Sequence, residues 1–307
     1  MVAGKKFLPE IIPSFRVLIM VYFFQILLSG IVTGSLYSLI ALGFVIIYKT
    51  TKVSNLGHGD ISMMGAYFGV QFFLIMGISS ATTLGLIIPF AFIIGGAIGL
   101  FLNIPLKQKR IGNVVIASLG MGIIIQESII LKFGAFPFFL RNVFPEKYVS
   151  MGIISIPWSN LFIIAISLIV VAMMFLFFKY TDLGIAMRAV SQDLETSKIM
   201  GISPTVVVVS SWGLASAIGM ISCFLLSSRL GAFPLLGITV IIKAFTAAVV
   251  GGLTSLAGAV LGAFLVGIID CLLAGYISGT FQTTGAFFIL MLILLLRPEG
   301  LFHFSET

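Results

Sequence analysis

Polar residues interrupt several long apolar segments of this sequence, and their side chains could contact a solute or form buried ion pairs. The candidates are Asn55, His58, Asp60, Gln126, Glu127, Lys243 and Asp270, together with a backbone break at Gly251 and Gly252. An ionisable side chain inside a membrane-spanning helix costs at least about 2.5 kcal/mol on insertion scales, so each needs a compensating role. Two interpretations remain open. Either some of these residues line a polar route for a solute, or they stabilise packing, with Asp60 near a helix N-terminus and Lys243 paired with Asp270.

The same residues do not form a familiar catalytic or metal-binding pattern. His58 has no second histidine or cysteine at a suitable spacing, so no metal site is predicted. An intramembrane enzyme would need a nucleophile and a base inside spans, and neither histidine is expected to lie within one. The chain also lacks a Gly-x-x-x-x-Gly-Lys-Ser/Thr loop for phosphate. We therefore expect no cofactor on this chain, and any ATP hydrolysis that drives it must occur on another polypeptide.

The largest polar cluster lies at about 181–203, between two apolar runs. Its candidate residues are Arg188, Asp193, Glu195, Lys198 and Gly201. Apolar residues alternate with these charges, which is typical of an amphipathic segment. Asp193 is placed to cap a short helix and Gly201 to end it. This pattern favours a docking element for a soluble partner over a solvated connector.

The composition indicates whether the surface of the protein faces water or lipid. A soluble domain carries about 25% charged residues because its surface faces water. This chain of 307 residues has 9% charged and 60% apolar residues, with a mean hydropathy of +1.23. Most of its surface must therefore face lipid. The net charge of +7 does not indicate a nucleic-acid partner. The basic residues stand at the ends of apolar runs, as in loops retained on the cytoplasmic side.

Apolar runs of about 20 residues predict the membrane-spanning helices. They lie at about 17–48, 61–78, 84–104, 111–131, 160–178, 204–227, 238–250, 259–277 and 283–296. We predict an all-α integral membrane protein with a single domain over 1–307, a polytopic bundle of about 8–10 transmembrane helices, some broken or re-entrant. The first run is either one long tilted helix or a span followed by a re-entrant piece. Basic residues at 107–110 and 179–198 predict cytoplasmic loops, and about 132–158 is predicted to be external.

Pairs of glycines four residues apart predict where helices approach closely. They are Gly65/Gly69, Gly95/Gly99 and Gly258/Gly262. In lipid the hydrophobic effect does not favour association of helices. Small residues stabilise their packing instead, because they allow close contact between the backbones. The pairs indicate a compact bundle and do not identify a function.

Several motifs resemble those of one transporter family. The stretch ETSKIMG (195–201) resembles the Glu-Ala-Ala-x-x-x-Gly signature of ABC importer permeases, with Thr196 and Ser197 replacing the alanines. NLGHGDISMMGAY (55–67), SLGMGIIIQES (118–128), KAFTAAVVGGLTSLAGAVLGA (243–263) and LRPEGLF (296–302) resemble the permeases of branched-chain amino acid ABC importers. These stretches cover about 250 residues in one order. Gln192 departs from the family pattern, because an acidic residue is expected before Asp193.

The resemblance implies a set of partners and a location. The chain would be one of two permease subunits, identical or sister, in a bacterial or archaeal cytoplasmic membrane. Two cytoplasmic ATP-binding subunits would hold ATP and Mg²⁺, and an extracytoplasmic binding protein would deliver a small apolar amino acid. Related permeases serve urea, amides, sugars or nucleosides, so another small solute is the alternative. An ion-coupled secondary transporter would also have broken helices and buried carboxylates, but it has no need for the 181–203 segment.

Overall fold

Helices account for nearly all of the regular structure. The computed structural model describes residues 8–107, 111–140, 143–145, 147–151, 154–279, 281–297 and 300–301. Part of the basic group at 107–110 and of the LRPEGLF stretch therefore lies outside the described residues. The helices are α1 Leu8–Thr51, α2 His58–Gly69, α3 Ser80–Lys107, α4 Ile111–Phe133, α5 Trp158–Tyr180, α6 Asp182–Gln192, α7 Leu194–Ile199, α8 Pro204–Leu230, α9 Leu236–Gly251, α10 Leu256–Tyr276 and α11 Phe281–Leu296. A π-helical segment, Val70–Ile75, continues α2, and the strands β1 Tyr148–Met151 and β2 Ile154–Pro157 form an antiparallel hairpin.

Within the described residues, six helices are long and apolar enough to cross a membrane. They are Ile19–Thr51, Ser80–Leu102, Gly112–Phe133, Trp158–Tyr180, Pro204–Leu230 and Leu256–Tyr276. Two shorter apolar helices, Leu236–Gly251 and Thr284–Leu296, accompany them. Each coincides with an apolar run of the sequence, because in lipid a helix satisfies its own backbone hydrogen bonds. The prediction of an all-α polytopic membrane protein is confirmed.

α1 is the central helix of the bundle. It is one continuous helix over its whole length, so the first apolar run is not divided into a span and a re-entrant piece. Every residue from Gly34 to Ile47 is buried. A helix that is buried on all sides must be surrounded by protein, and α1 packs against α5, α8, α9 and α10.

Glycine allows these helices to approach closely. A Cβ atom on Gly34 would lie 2.8 Å from the Cα of Phe264 on α10, and one on Gly65 would lie 2.0 Å from the carbonyl oxygen of Met220 on α8. At Gly95 on α3 it would lie 2.1 Å from the Ser216 hydroxyl oxygen. These distances are too short for any larger residue without a backbone shift. The predicted role of the glycine pairs in helix packing is confirmed on α2 and α3.

The predicted break at Gly251 and Gly252 is a tight turn between two antiparallel helices. Gly252 has a φ of +98°, which ends α9. The Ser255 hydroxyl oxygen then accepts a hydrogen bond from the Gly258 amide at 3.0 Å and caps α10. A Cβ on Gly251 would lie 2.1 Å from the Gly258 carbonyl oxygen, so the last turn of α9 and the first turn of α10 are in backbone contact. The chain after α11 lies on this turn, since the Leu301 amide donates to the Val250 carbonyl at 2.8 Å.

Candidate functional site

The predicted docking segment consists of two capped helices, α6 and α7. The Asp193 carboxylate accepts hydrogen bonds from the amides of Glu195 at 2.9 Å and Thr196 at 3.2 Å, which makes it the N-cap of α7. Gly201 has a φ of +85°, the left-handed conformation that follows a helix C-terminus. Both predicted boundaries of the short helix are confirmed. Hydrogen bonds from the Thr196 hydroxyl and from the Thr196 and Glu195 amides hold the pKa of Asp193 below its ordinary value, so the cap is ionised at neutral pH.

The sequence interpretation missed α6, which anchors this segment to the bundle. The Thr181 hydroxyl oxygen accepts from the Gly184 amide at 3.1 Å and caps α6. A Cβ on Gly184 would lie 2.4 Å from the Phe177 carbonyl oxygen, so α6 folds tightly back on α5. Met187 and Val190 are buried between α6 and the bundle. A threonine three residues before a glycine was the available signal, although many non-helical turns share it.

The outer face of the segment combines charge with large apolar side chains. Ile199 is 85% exposed and Met200 is 77% exposed. Beside them, Lys198 and Glu195 form an exposed ion pair at 2.9 Å, and Arg188 is half-buried on α6. An apolar patch rimmed by charges on a water-exposed segment is typical of a protein-binding surface. The role of these residues in docking stays a prediction.

Lys243 and Asp270 form a buried ion pair that includes a third residue. The Lys243 Nζ atom lies 2.8 Å from Asp270 Oδ2, and the Tyr37 hydroxyl donates to the same oxygen at 3.1 Å. The Lys243 ammonium also lies 5.7 Å from the centre of the Tyr37 ring. All three residues are at most 5% exposed. The predicted pairing is confirmed, and it links α9 and α10 to the central helix α1. Tyr37 was missed, because a tyrosine within an apolar run carries no signal of its partner.

Asn55, His58 and Asp60 lie where α1 connects to α2, inside the bundle. His58 is 0% exposed, although it lies in none of the candidate spans. A Cβ on Gly43 of α1 would lie 2.6 Å from His58 Nε2, and Gly43 precedes the end of α1 by eight residues, or about 12 Å of helix. The α1–α2 connection therefore folds back into the protein before α2 begins.

The carboxylate of Asp60 is held between glycines of two other helices. A Cβ on Gly122 of α4 would lie 2.5 Å from one carboxylate oxygen, and a Cβ on Gly237 of α9 would lie 2.4 Å from the other. Asp60 is in the first turn of α2, as predicted. Within the part of the chain that the structure describes, Asp60 Oδ1, both polar atoms of Asn55 and Asp270 Oδ1 are buried without a hydrogen-bond partner. Such groups inside a membrane protein mark functional positions more often than simple packing.

Gln126 and Glu127 are separate from both buried clusters. Glu127 is exposed on α4 and Gln126 is half-buried. The predicted site residues therefore form distinct groups: a docking segment, a buried ion pair, a glycine-lined polar cluster and an exposed carboxylate. Among the described residues, no group of three or more histidine, cysteine or acidic side chains could hold a metal ion.

A bundle of spanning helices with an ion pair buried inside and a capped amphipathic segment between α5 and α8 is typical of a membrane transporter. The profile of the family described as "Branched-chain amino acid transport system / permease component" matches residues 26–296. The chain belongs to this family.

Individual relatives agree with this assignment. The chain is similar to the "High-affinity branched-chain amino acid transport system permease protein BraD" of Pseudomonas aeruginosa, with 30% identity over 93% of this chain and 97% of BraD. It is 28% identical to the permease protein LivH of Escherichia coli over 93% of this chain and 97% of LivH. A "Probable branched-chain amino acid transport permease protein LivH" of Methanocaldococcus jannaschii is 28% identical over 90% of this chain and 91% of the relative. This protein is a permease subunit of an ABC importer for branched-chain amino acids.

The buried ion pair predicts a non-additive response to substitution. Lys243→Met or Asp270→Leu alone leaves one charge unpaired in the bundle, and each is expected to lower the free energy of unfolding by about 3–5 kcal/mol. The double variant removes both charges and should return close to the wild-type value. Denaturant titration of the purified protein in micelles measures this. Lys179→Met, on an exposed lysine at the end of α5, is the matched control. Single variants that lose no more than the control would contradict the structural role of the pair.

Proposed function

We propose that this chain is one of two permease subunits in an importer of a bacterial or archaeal cytoplasmic membrane. Two cytoplasmic ATP-binding subunits bind ATP and Mg²⁺, and one of them docks at α6 and α7 of this chain. An extracytoplasmic binding protein delivers the amino acid to the opposite side. The observation that carries the proposal is the anchored α6–α7 segment, with Ile199 and Met200 exposed beside capped, charged residues.

The anchoring of this segment supports a role in transmitting force. A loose connector would move without consequence for the bundle, whereas α6 is buried against α5, and α7 leads through Gly201 directly into α8. α8 in turn packs along α1, α2 and α3. A displacement of α7 by a partner would therefore act on the core of the permease. An ion-coupled transporter would have no use for this arrangement, which favours ATP-driven transport over that alternative.

The exposed face of α4 supports a second permease subunit as a partner. Ile116, Ile123 and Leu131 are exposed on this helix together with Glu127. Glu127 precedes the end of α4 by six residues, or about 9 Å, and a carboxylate facing lipid there is unfavourable. A facing permease subunit would cover the apolar residues and give Glu127 a polar environment along the route of the solute.

Gly201 tests the docking of the ATP-binding subunits. No heavy atom lies within 4 Å of a Cβ at this position, so a new side chain would point into open space beside the partner. Asparagine and aspartate both tolerate the left-handed conformation and differ mainly in charge. Gly201→Asp is expected to weaken association with the ATP-binding subunit by about tenfold or more, the effect of roughly 1.4 kcal/mol, and Gly201→Asn to have a much smaller effect. Copurification and ATP-driven uptake measure this.

The outcomes of this comparison separate three explanations. Normal assembly and uptake with Gly201→Asp would remove the docking assignment. Equal losses in both variants would assign the effect to the backbone conformation of Gly201.

The isolated chain is expected to hydrolyse no ATP. Vanadate-sensitive hydrolysis by the purified chain, with contaminating ATPases excluded, would contradict the assignment of ATP to the partner subunits.

Glu127→Cys tests the position of the second permease subunit. Cys223→Ala and Cys271→Ala first remove the native thiols. We expect Glu127→Cys in the assembled importer, with a cysteine at the matching position of a sister subunit where the two permeases differ, to form cross-links between permease subunits with a short bifunctional thiol reagent. Ile169→Cys is the control, because Ile169 is 58% exposed on an apolar face of α5. If both cysteines fail to cross-link and react only with lipid-soluble reagents, the α4 face is a lipid surface.

A further inference from the structure

A cavity of about 390 Å³ lies where α5 begins and α8 ends. α5 is 23 residues long, so about 34 Å of helix separates this cavity from α6 and α7. It therefore lies at the extracytoplasmic end in the orientation proposed above. Its volume is within the range of roughly 300–1,000 Å³ that is typical of small-molecule sites. None of the candidate residues from the sequence lies in it.

The walls of this cavity are held in place by several contacts. Phe138 and Ala232 exchange backbone hydrogen bonds of 2.9 and 2.8 Å, which join the chain after α4 to the end of α8. The Trp158 amide donates to the Lys147 carbonyl at 2.9 Å, beside the β1–β2 hairpin. The Phe144 ring stacks on Phe162 of α5 at 5.7 Å. The cavity is thus a formed site between anchored segments.

The lining combines positive charge with an apolar wall. Arg229 and Lys147 line the cavity together with Leu140, Val143 and Phe144. Among the described lining residues there is no carboxylate, and no ion pair to either cation is found among the described residues. The Arg229 Nη1 atom donates to the Thr33 hydroxyl oxygen at 3.3 Å. The guanidinium has five N–H donors in a fork that matches a carboxylate, so most of them remain for another acceptor.

The position of Arg229 has a simpler partial explanation. It lies in the last turn of α8, where a cation is favoured by the helix dipole. The dipole accounts for one charge at this place. It does not account for a second cation in the same cavity or for the apolar wall opposite both. A ligand with a carboxylate at one end and an apolar group at the other satisfies all three features.

We propose that this cavity binds the transported amino acid through its carboxylate. Arg229 receives the α-carboxylate, Lys147 adds attraction, and the branched side chain packs against Leu140, Val143 and Phe144. The proposal rests on the permease function and on the orientation given above. It provides the permease with a substrate contact of its own, separate from the binding protein. None of the described lining residues is acidic, so the recognition proposed here acts on the carboxylate and the side chain.

Binding of tritiated leucine to the assembled importer tests this site. The importer is placed in phosphatidylcholine nanodiscs without binding protein or nucleotide, and bound leucine is measured by scintillation proximity. Saturable binding is expected, and Arg229→Gln should weaken it by about tenfold or more. Arg229→Lys should retain part of the affinity. 4-Methylpentanoate, which lacks the ammonium group, should compete, and 3-methylbutylamine, which lacks the carboxylate, should not. Lys179→Gln, at the other end of α5, is the charge-matched control.

Several results would overturn the proposal. They are the absence of saturable binding, binding that is unchanged in both Arg229→Gln and Lys147→Gln, and equal competition by the amine and the acid. Loss of leucine binding when phosphatidylglycerol is added would assign the two cations to lipid phosphates. A third result is possible: the wild type binds no leucine, and Arg229→Gln associates more weakly with the extracytoplasmic binding protein. This result would assign the two cations to an acidic residue of the binding protein. Size-exclusion profiles of Arg229→Gln and of the second variant, Lys147→Gln, show whether each variant is folded. ATP-driven uptake is measured in the same preparation, so that the cavity proposal and the proposed function are tested separately. Normal uptake without leucine binding would contradict only the cavity proposal.

Discussion

Lipid offers no hydrogen-bond partner to a polar group, so every charge within the bundle must be satisfied by the protein itself. The ion pair between Lys243 and Asp270 is where this constraint acts most strongly. It requires α9 and α10 to lie side by side, and the Tyr37 hydroxyl adds α1 to the same contact. The glycine contacts of α10 with α1 and of α9 with α10 make that approach possible, since bulkier residues would separate the backbones. The central helix and the C-terminal helices are thus held by one buried polar contact within a glycine-rich interface.

The same constraint gives meaning to the polar groups that the bundle leaves unpaired. Asp60 lies between glycines of α4 and α9, and His58 lies fully buried between α1 and α8. Four helices therefore meet at a point where hydrogen-bonding capacity remains. A rigid structural site would be expected to satisfy these atoms. A site whose surroundings change during transport has reason to keep them, which supports the pathway interpretation for Asp60. Asp270 shares this feature in part, because its Oδ1 atom lacks a partner while its Oδ2 atom pairs with Lys243.

Local signals in the sequence predicted much of this structure, and tertiary relations account for what they missed. The spans follow from apolar runs, and the cap at Asp193 and the end at Gly201 follow from helix chemistry that acts within a few residues. The Lys243–Asp270 pair could be predicted because the cost of a lone charge in lipid demands a partner. Tyr37, by contrast, joins that pair from more than 200 positions away in the chain. Arg229 and Lys147 were missed for the same reason, because only the folded chain brings them to one cavity. The burial of His58 depends on the connection that turns back inside the bundle, which no local pattern indicates.

We infer that this bundle carries branched-chain amino acids under the control of an ATP-binding subunit docked at α6 and α7. The decisive measurement is uptake of tritiated leucine into proteoliposomes that contain the assembled importer, with binding protein outside and ATP inside. We expect concentrative uptake that requires both and that persists when proton and sodium gradients are abolished. Uptake that follows an ion gradient and continues without ATP or the ATP-binding subunits would contradict it.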